Sequence, residues 1–334
     1  MFRTVAIASF AALMIAGCSS STPTTTTTTT GGEAPKSTGP KLRIAFIPKG
    51  ATHEFWKTMQ AGATKAADEN NVQLLWKAPL KEDDRAEQVK VVESFTQEKV
   101  DGIVLAPLDQ EALKAPVQEA QAAKIPVLIV DSDLKDVKTN SFIATDNFAA
   151  GKIGGEQLAK ALGGKGKVIL LRYAEGSAST MARESGFLEA AKAGGLEVVS
   201  SEQYGGATRE SAQTASENLV ARFKQGDGLS IQGIFTPNES TCFGMLRALQ
   251  NAKVAGKVKF VGFDSSKELL DAVKAGELDG LVLQNPFKMG QEGIIQMVKS
   301  IKGEKIPERI DTGAVFVSKA NIDSDEVKAV LPKQ

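Results

Sequence analysis

The sequence predicts an α/β protein with two doubly wound lobes, each built on a parallel sheet. Short apolar segments rich in β-branched residues alternate with amphipathic segments of helical length. The apolar segments are nearly continuous, which is typical of strands that helices cover on both faces of a parallel sheet. Residues 41–334 are also more than a single hydrophobic core usually holds. We therefore expect two lobes with similar architecture.

The elements follow from this alternation. The predicted strands are 42–47, 72–76, 102–106, 127–130, 141–145, 167–172, 197–202, 233–236, 258–263 and 280–284. The predicted helices are 54–69, 84–98, 109–123, 147–161, 180–193, 208–224, 239–251, 266–275 and 287–302. Strands that alternate with helices in this way form βαβ units, whose strands run parallel.

Capping residues mark several predicted helix starts. Asp84, with Glu87 three residues later, forms a capping box before the second helix, and its loop places Arg85 where it could overhang a cleft. Ser179 is expected to cap the fifth helix. Asn238 is a cap candidate for the seventh helix and also an amide at the end of a strand.

An internal repeat relates the two halves. Residues 100–133 and 231–266 both run through a glycine, a strand, a loop with proline, a helix, a second strand and an aspartate. The aspartates are Asp131 and Asp264. Ligands of open parallel sheets bind beyond the carboxyl ends of the strands. If the lobes face each other, both carboxylates point into one cleft from opposite walls.

The two aspartates allow three interpretations. They could act as an acid/base pair, as in glycoside hydrolysis, although the repeat places them in different lobes. They could instead accept hydrogen bonds from ligand hydroxyl groups. Asp264, or one of the two serines that follow it, could also simply cap the next helix.

The stretch "IPKGATHEFWKTMQ" (47–60) carries a second group of candidates. Lys49 and His53 follow the first strand, and Phe55 and Trp56 begin the next helix. Flat apolar rings can cover the C–H face of a sugar while polar groups take its hydroxyl groups. One of the two rings could be core, since adjacent helical residues do not face the same way. As a neutral imidazole, His53 could both donate to and accept from a hydroxyl group.

Arg183 and Gln284 complete the polar candidates. Arg183 lies near the start of a helix, where a cation opposes the helix dipole, so a role toward ligand oxygens would explain its position. A solvated surface arginine is the alternative. Gln284 is an amide at the carboxyl end of the last predicted strand.

The first residues predict export and a lipid anchor. Arg3 precedes the apolar stretch 5–16, which is shorter than the roughly 20 residues needed to span a bilayer. "IAGC" ends at Cys18 and resembles a bacterial lipobox, which implies a signal peptide over 1–17 and lipid on Cys18. The Thr-rich remainder of residues 18–40 has no large apolar side chain and is expected to be a tether.

Several function classes are excluded by composition and motifs. The chain has 40 basic and 40 acidic residues and no basic run, which argues against nucleic acid. Cys242 lies in an apolar helical pattern and is expected to be a buried thiol. "GGKGKV" (163–168) lacks the spacing of a phosphate loop, and no Cys/His cluster suggests a metal. We predict no cofactor.

Seven motifs in series resemble a periplasmic sugar-binding protein of the ribose-binding (type I) class. They are "VDGIVLAP", "KIPVLIVDSD", "IATDN", "GSASTMARESGF", "TPNES", "VGFD" and "VLQNP". The resemblance covers the chain from Lys41 to the end. It implies a substrate-binding subunit of an ABC importer, not an enzyme, that delivers a carbohydrate to a permease in the inner membrane. It also implies an extracytoplasmic location, and we expect a monomer.

The resemblance further implies lobes, hinges and ligand contacts. The lobes would be 41–145 with 285–311 and 146–284 with 312–334. Three hinge crossings would lie near 145–147, 284–286 and 311–313. The ligand contacts that it implies are Lys49, His53, Phe55, Trp56, Asp131, Arg183, Asn238, Asp264 and Gln284.

The sequence also departs from the ribose binders. Where they carry a small hydroxyl residue and an amide, it has Lys49 and His53, and Ser132 replaces the arginine after the first aspartate. "FIPK" and "DSD" resemble receptors for rhamnose and for a furanosyl quorum signal. A receptor for such a signal, or one coupled to a sensor, is therefore the alternative function. Lys49 also leaves room for an acidic or phosphorylated sugar.

Overall fold

A computed structural model describes residues 40–331 of the chain. The predicted signal peptide, the lipidation site Cys18 and the tether, except for Pro40, lie outside the described residues. No helix among residues 40–331 is both long enough and apolar enough to cross a membrane.

The described residues form the following elements. The strands are β1 Leu42–Ile47, β2 Val72–Trp76, β3 Gly102–Leu105, β4 Val127–Val130, β5 Phe142–Ala144, β6 Gly166–Leu170, β7 Leu196–Ser200, β8 Lys224–Gln225, β9 Gly228–Leu229, β10 Gly233–Phe235, β11 Lys259–Phe263, β12 Gly280–Gln284, β13 Arg309–Asp311 and β14 Ala314–Val317. The helices are α1 Glu54–Glu69, α2 Arg85–Gln97, α3 Lys114–Ala122, α4 Asn147–Ala161, α5 Ala178–Ala193, α6 Arg209–Phe223, α7 Glu239–Asn251, α8 Lys267–Ala275, α9 Pro286–Ile301 and α10 Asp325–Val330.

Two six-stranded sheets organise the molecule. The first has the order β13-β5-β4-β3-β1-β2 and is parallel throughout. The second has the order β14-β12-β11-β10-β6-β7 and is parallel except for β14, which runs antiparallel to β12. Five consecutive positions of the two sheets match strand for strand, so β4 and β11 are equivalent. The predicted repeat and the predicted doubly wound α/β fold are therefore confirmed.

Each sheet carries apolar side chains on both faces, which explains the nearly continuous apolar strands. In β1, Ile44 and Phe46 pack in one core, while Ala45 and Ile47 pack in another on the opposite face. β6 divides in the same way between the two cores of the second sheet. We call the first sheet with its helices the N-terminal lobe and the second the C-terminal lobe.

The chain passes between the sheets three times. It leaves the first sheet after β5, returns to it after β12 through α9, and leaves it again after β13. At the crossings, Thr145 Oγ1 donates to the Gly313 carbonyl at 3.1 Å, and Asp311 Oδ1 accepts from the backbone N–H of Asp146 at 3.2 Å. The full lobe limits drawn from the sequence stay a prediction.

The differences from the predicted elements have local causes. The third helix begins at Lys114 instead of 109, because Asp109 Oδ1 accepts from the N–H groups of Glu111 and Ala112 and holds a turn there. The strands β13 and β14 and the helix α10 were not predicted, nor was the β8–β9 hairpin. β13 and β14 are short edge strands, and only Val317 of the two is buried. Such segments carry little of the apolar signal on which the strand assignment depends.

Candidate functional site

The nine candidate residues surround one cavity between the carboxyl ends of the two sheets. The space enclosed by their side chains has a volume of about 30 Å³. The lining residues are Lys49, His53, Phe55, Trp56, Glu82, Asp131, Tyr173, Ser179, Thr180, Arg183, Asn238, Glu239, Asp264 and Gln284. The side chains from the two lobes contact one another directly, so the lobes are closed.

The two aspartates occupy equivalent and unusual backbone positions. Asp131 follows β4 with φ 62°, and Asp264 follows β11 with φ 65°. Their N–H groups still bond to the next strand, at Ile143 and Val282. A left-handed backbone is costly for a residue with a side chain and is retained mainly where structure or function requires it. The turn directs two buried carboxylates from opposite lobes toward the cavity.

Asp131 pairs with Lys49 across the base of the cavity. Lys49 Nζ lies 3.0 Å from Asp131 Oδ2, and both side chains are about 4% exposed. Lys49 Nζ also donates to Ser177 Oγ at 3.3 Å and to Ser179 Oγ at 3.0 Å, both in the C-terminal lobe. An ammonium group has three donors. Lys49 is therefore fully engaged with groups of the protein.

Asp264 does not cap the helix that follows it. Ser266 is the cap of α8, with its Oγ accepting from Leu269. Asp264 Oδ1 instead accepts from Gln284 Nε2 at 2.7 Å, and Oδ2 accepts from the N–H of Glu239 at 3.1 Å. Burial raises the pKa of Asp264, and the positive charge of Arg183 opposes that rise. The capping-only interpretation of Asp264 is therefore wrong.

Arg183 is a buried cation held between the two aspartates. Its Nε donates to Asn147 Oδ1 at 2.8 Å, and its Nη1 donates to the Pro237 carbonyl at 3.0 Å. The guanidinium lies over the Phe263 ring at 4.1 Å. Burial lowers the pKa of Arg183, while Asp264 and Asp131 counteract the effect. With 2% exposure, Arg183 is not a solvated surface arginine.

The predicted cap before Arg183 was misplaced by two residues. The fifth helix begins at Ala178 after Ser177, so Ser179 lies within its first turn. The Ser179 N–H donates to Ser132 Oγ of the other lobe at 3.0 Å. Ser132 thus contributes to the contact between the lobes.

Two buried polar atoms of the cavity lack a hydrogen bond within residues 40–331. They are the donor Arg183 Nη2, which lies 3.9 Å from Asp131 Oδ1, and the acceptor Gln284 Oε1. Buried polar groups are paired in the great majority of cases, because an unpaired one costs about 1–3 kcal/mol. A donor and an acceptor left together in one cavity match a ligand that offers both, as a hydroxyl group does.

His53, Phe55 and Trp56 form the N-terminal lobe's wall of the cavity. The Phe55 and Trp56 rings meet edge to face at 4.8 Å, and both contact the core beneath them. His53 Nδ1 lies 2.5 Å from Glu82 Oε1. Although burial lowers the pKa of His53, Glu82 outweighs it and raises that pKa to about 9. The expectation of a neutral imidazole is therefore wrong, and His53 is a donor on both nitrogens.

The comparisons with known proteins agree with this geometry. Residues 44–305 match the family described as periplasmic binding protein domain. The chain belongs to the periplasmic binding proteins.

Curated relatives of this periplasmic binding protein include sugar import proteins. It is 31% identical over 275 residues to the ribose import binding protein of Haemophilus influenzae, covering 82% of this chain and 91% of the relative. It is 28% identical over 323 residues to the D-ribose/D-allose-binding protein of Pseudomonas aeruginosa, covering 94% and 97%.

Solved structures extend the similarity. An ABC transporter solute-binding protein from Agrobacterium vitis with bound D-fucose has a TM-score of 0.82 and 36% identity, covering 86% of this chain and 99% of that one. A carbohydrate transporter solute-binding protein from Agrobacterium radiobacter, in complex with D-arabinose, has a TM-score of 0.82 and 31% identity, covering 87% and 98%. The predicted resemblance to type I sugar-binding proteins is therefore confirmed.

Sequence reasoning brought nine residues to this periplasmic binding protein's cavity but missed five others. All nine lie at the cavity, and their contact with a ligand stays a prediction. The missed lining residues are Glu82, Tyr173, Ser179, Thr180 and Glu239. Glu82 lies two residues before Asp84, which is the predicted helix cap and does cap α2. Arg85 does reach across the cleft, donating to the Glu175 carbonyl at 2.6 Å.

A larger groove of about 1020 Å³ lies outside the His53–Glu82 pair. Loops of both lobes and helix α8 line it, and some of its charges pair within one helix, such as Lys267 with Asp271 at 2.6 Å. Arg183 Nη2 and Gln284 Oε1, the two atoms without partners described above, line the inner cavity and not this groove. We therefore interpret the groove as the mouth of the cleft.

Proposed function

We propose that this periplasmic binding protein captures a neutral monosaccharide between its lobes and delivers it to an ABC permease. The observation that carries the proposal is the pair of buried atoms without partners, the Arg183 donor and the Gln284 acceptor, beside two carboxylates aimed into one cavity. Sugar hydroxyl groups donate and accept at once, so one ligand would satisfy both atoms. Pentoses, hexoses and deoxy sugars all fit this chemistry.

The charges of the cavity favour a ligand without net charge. Lys49 is neutralised by Asp131, and His53 is neutralised by Glu82. An anionic sugar would add a charge to a buried site whose cations are already paired, and buried unpaired charges are strongly destabilising. These charges therefore disfavour an acidic or phosphorylated sugar, which the presence of Lys49 in the sequence had allowed.

The enclosed volume implies that the lobes must separate to admit a sugar. Small-molecule sites usually measure about 300–1,000 Å³, far more than the space enclosed here. The three crossings between the sheets provide a hinge for that motion. A ligand that touches both lobes stabilises the closed state, because it makes those contacts only there.

The cellular setting follows from the family and from the N-terminal motif. Periplasmic binding proteins act in transport outside the cytoplasm, and we infer that this chain binds its solute without transforming it. We further propose that Cys18 carries the lipid that holds a monomer near its permease. A furanosyl quorum signal remains the ligand of the alternative function, a receptor that could be coupled to a sensor.

A thermal-shift panel tests the ligand class. Neutral pentoses, hexoses and deoxy sugars are compared with sugar acids, sugar phosphates and the furanosyl signal. A ligand at 100 times its Kd adds about 2.7 kcal/mol of stability, which raises the Tm by several degrees. We expect a shift with neutral sugars only. A shift with only acids or only the furanosyl signal would overturn the proposal.

The site is tested with Asp131→Ala and a matched control. Asp133→Ala removes an exposed carboxylate from the same loop. It therefore separates the loss of a carboxylate in the cavity from the loss of any carboxylate in this loop. We expect Asp131→Ala to abolish the sugar shift while circular dichroism shows an intact fold, and Asp133→Ala to bind normally. Undiminished affinity in Asp131→Ala would contradict the site assignment.

A further inference from the structure

Glu82 bonds to both lobes at once. Its Oε1 accepts from His53 Nδ1 and from Trp56 Nε1 of the N-terminal lobe. Its Oε2 accepts from the Tyr173 hydroxyl at 2.7 Å, and Tyr173 follows β6 in the C-terminal lobe. Glu82 is 8% exposed and Tyr173 is 2% exposed. One buried carboxylate thus connects the wall of the cavity to the opposite lobe.

The connection is ionic at neutral pH. Burial alone would raise the pKa of Glu82, but His53 and the hydrogen bonds from His53, Tyr173 and Trp56 lower it to about 2. With Nδ1 committed to Glu82, the Nε2–H of His53 is the ring's remaining donor. His53 lines both the inner cavity and the groove outside it, so a ligand that reaches its ring meets a donor and no acceptor.

We propose that Glu82 is a further specificity-determining and closure residue of the sugar site. It keeps His53 as a donor-only group beside the ligand, and it locks that group to Tyr173 of the opposite lobe when the cleft closes. The inference rests on the proposed function, since it names the sugar atom that His53 selects. That atom is a hydrogen-bond acceptor, a ring oxygen or a hydroxyl oxygen, and an amino sugar with an ammonium group there is rejected.

The other charges near His53 do not replace Glu82. Glu239, at the start of α7, also raises the pKa of His53, while Arg209, at the start of α6, lowers it. These two residues pair with each other at 2.7 Å. On the helix that follows His53, Glu54 and Lys57 likewise pair at 2.7 Å. Glu82 is therefore the residue on which the charge of His53 depends.

The positioning role is tested by nuclear magnetic resonance without any ligand. His53 is the chain's only histidine, so its ring signals are unambiguous in protein produced without a histidine tag. We expect His53 to titrate near pH 9 in the wild type and well below that in Glu82→Gln, where burial dominates. Tyr173→Phe should leave His53 charged at neutral pH. A wild-type His53 that titrates near 6.5 would overturn the inference even if the Glu82 variant does not fold.

The closure role is tested by the affinity for the best neutral sugar of the panel. Tyr173→Phe removes one hydrogen bond to a carboxylate, and we expect affinity to fall about 10- to 100-fold at pH 7. The control Glu98→Gln changes an exposed carboxylate that pairs with Arg43 and should bind as the wild type does. Unchanged affinity in Tyr173→Phe would refute the closure role.

The pH profile separates positioning from a merely structural role. The wild type should bind with constant affinity from pH 6 to 8, because His53 stays charged throughout. Glu82→Gln should bind more weakly than the wild type from pH 6 to 8, because its His53 is neutral there, and should regain affinity only as acid restores the proton below pH 6; wild-type affinity at pH 7 would refute the specificity role. If no sugar binds the wild type while His53 titrates near 9, the sugar function fails and the Glu82–His53 positioning stands.

Discussion

Replacing Gly176 with alanine should weaken ligand binding by opposing closure of the cleft. Gly176 lies in the C-terminal lobe with φ +85°, and its carbonyl accepts from the Gln110 N–H of the N-terminal lobe at 2.9 Å. A Cβ atom at this position would overlap Asp109 Oδ2. Because Asp109 belongs to the opposite lobe, the overlap exists only while the lobes are closed.

The magnitude has two separable parts. The left-handed backbone costs an alanine about 1 kcal/mol in both the open and the closed state, so it lowers the stability of the fold but not the affinity. Asp109 cannot easily move away, since its Oδ1 accepts from Glu111 at 2.8 Å and from Ala112 at 2.9 Å. Losing two such hydrogen bonds costs about 2 kcal/mol. That cost falls on the closed state and corresponds to about a 30-fold weaker Kd.

Isothermal titration calorimetry and thermal melting check the two parts independently. Gly163→Ala is the matched control, because Gly163 has φ +65° and no atom lies within 4 Å of the position that its added methyl group would take. Both variants should lose a similar amount of Tm, and only Gly176→Ala should lose affinity. Equal affinity in the two variants would refute the assignment of this turn as a closure contact.

Three further predictions concern stability and reactivity. In urea denaturation, the free energy of unfolding should fall by about 3 kcal/mol between pH 6.5 and pH 9. The pKa of His53 is about 9 in the folded protein, so its contribution to stability is complete below pH 6.5 and is lost as the proton leaves. A free energy that did not change with pH would contradict the His53–Glu82 pair. Cys242 is fully buried with a pKa raised to about 12 by burial, so peptide mass spectrometry should find it alkylated only after unfolding. Fast labelling of the native protein would contradict this. Gly290→Ala would place a methyl group against the Met59 carbonyl, so urea denaturation should show a loss of about 1–3 kcal/mol of stability. The affinity for the ligand should not change, and a large loss of affinity would contradict the purely structural role of Gly290.

The fold and the main site residues were predictable because strong patterns encode them. Buried parallel strands need continuous apolar residues, so β1, β2, β4 and β12 have the predicted bounds. The internal repeat located Asp131 and Asp264 because the same strand order occurs in both sheets. The spacing of apolar residues could not show the positive φ of these two aspartates, because φ depends on the direction that the chain takes from the strand into the following loop.

The contacts between the lobes could not be predicted in the same way. Glu82 and Tyr173 lie far apart in the sequence, although they bond to each other in the fold. In the sequence, Glu82 is explained by its position near a helix start, and Tyr173 is explained as a ring that packs after a strand. The charge of His53 was misjudged for the same reason, since it depends on Glu82 and not on its own neighbours in the chain. Interactions of this kind become visible only when two separately folded sheets are brought face to face.

Charge balance explains why such a polar cleft can close. Closure brings four carboxylates into a buried space, and unpaired charges there would be strongly destabilising. One cation of the protein faces each of these carboxylates. Arg183 Nη2 also lies 3.9 Å from Asp131 Oδ1. Three of the carboxylates form ion pairs, Lys49 with Asp131, His53 with Glu82 and Arg209 with Glu239, and Arg183 acts on Asp264 through its charge without a direct contact.

The same balance restricts what the cleft can hold. A neutral sugar can satisfy the free donor of Arg183 and the free acceptor of Gln284 without changing the charge between the lobes. An anion would need a cation that is already paired, and an ammonium group would face the His53 donor. Removing one member of a pair should therefore affect closure and specificity together. A variant that lost specificity but closed normally would show that the two depend on different residues.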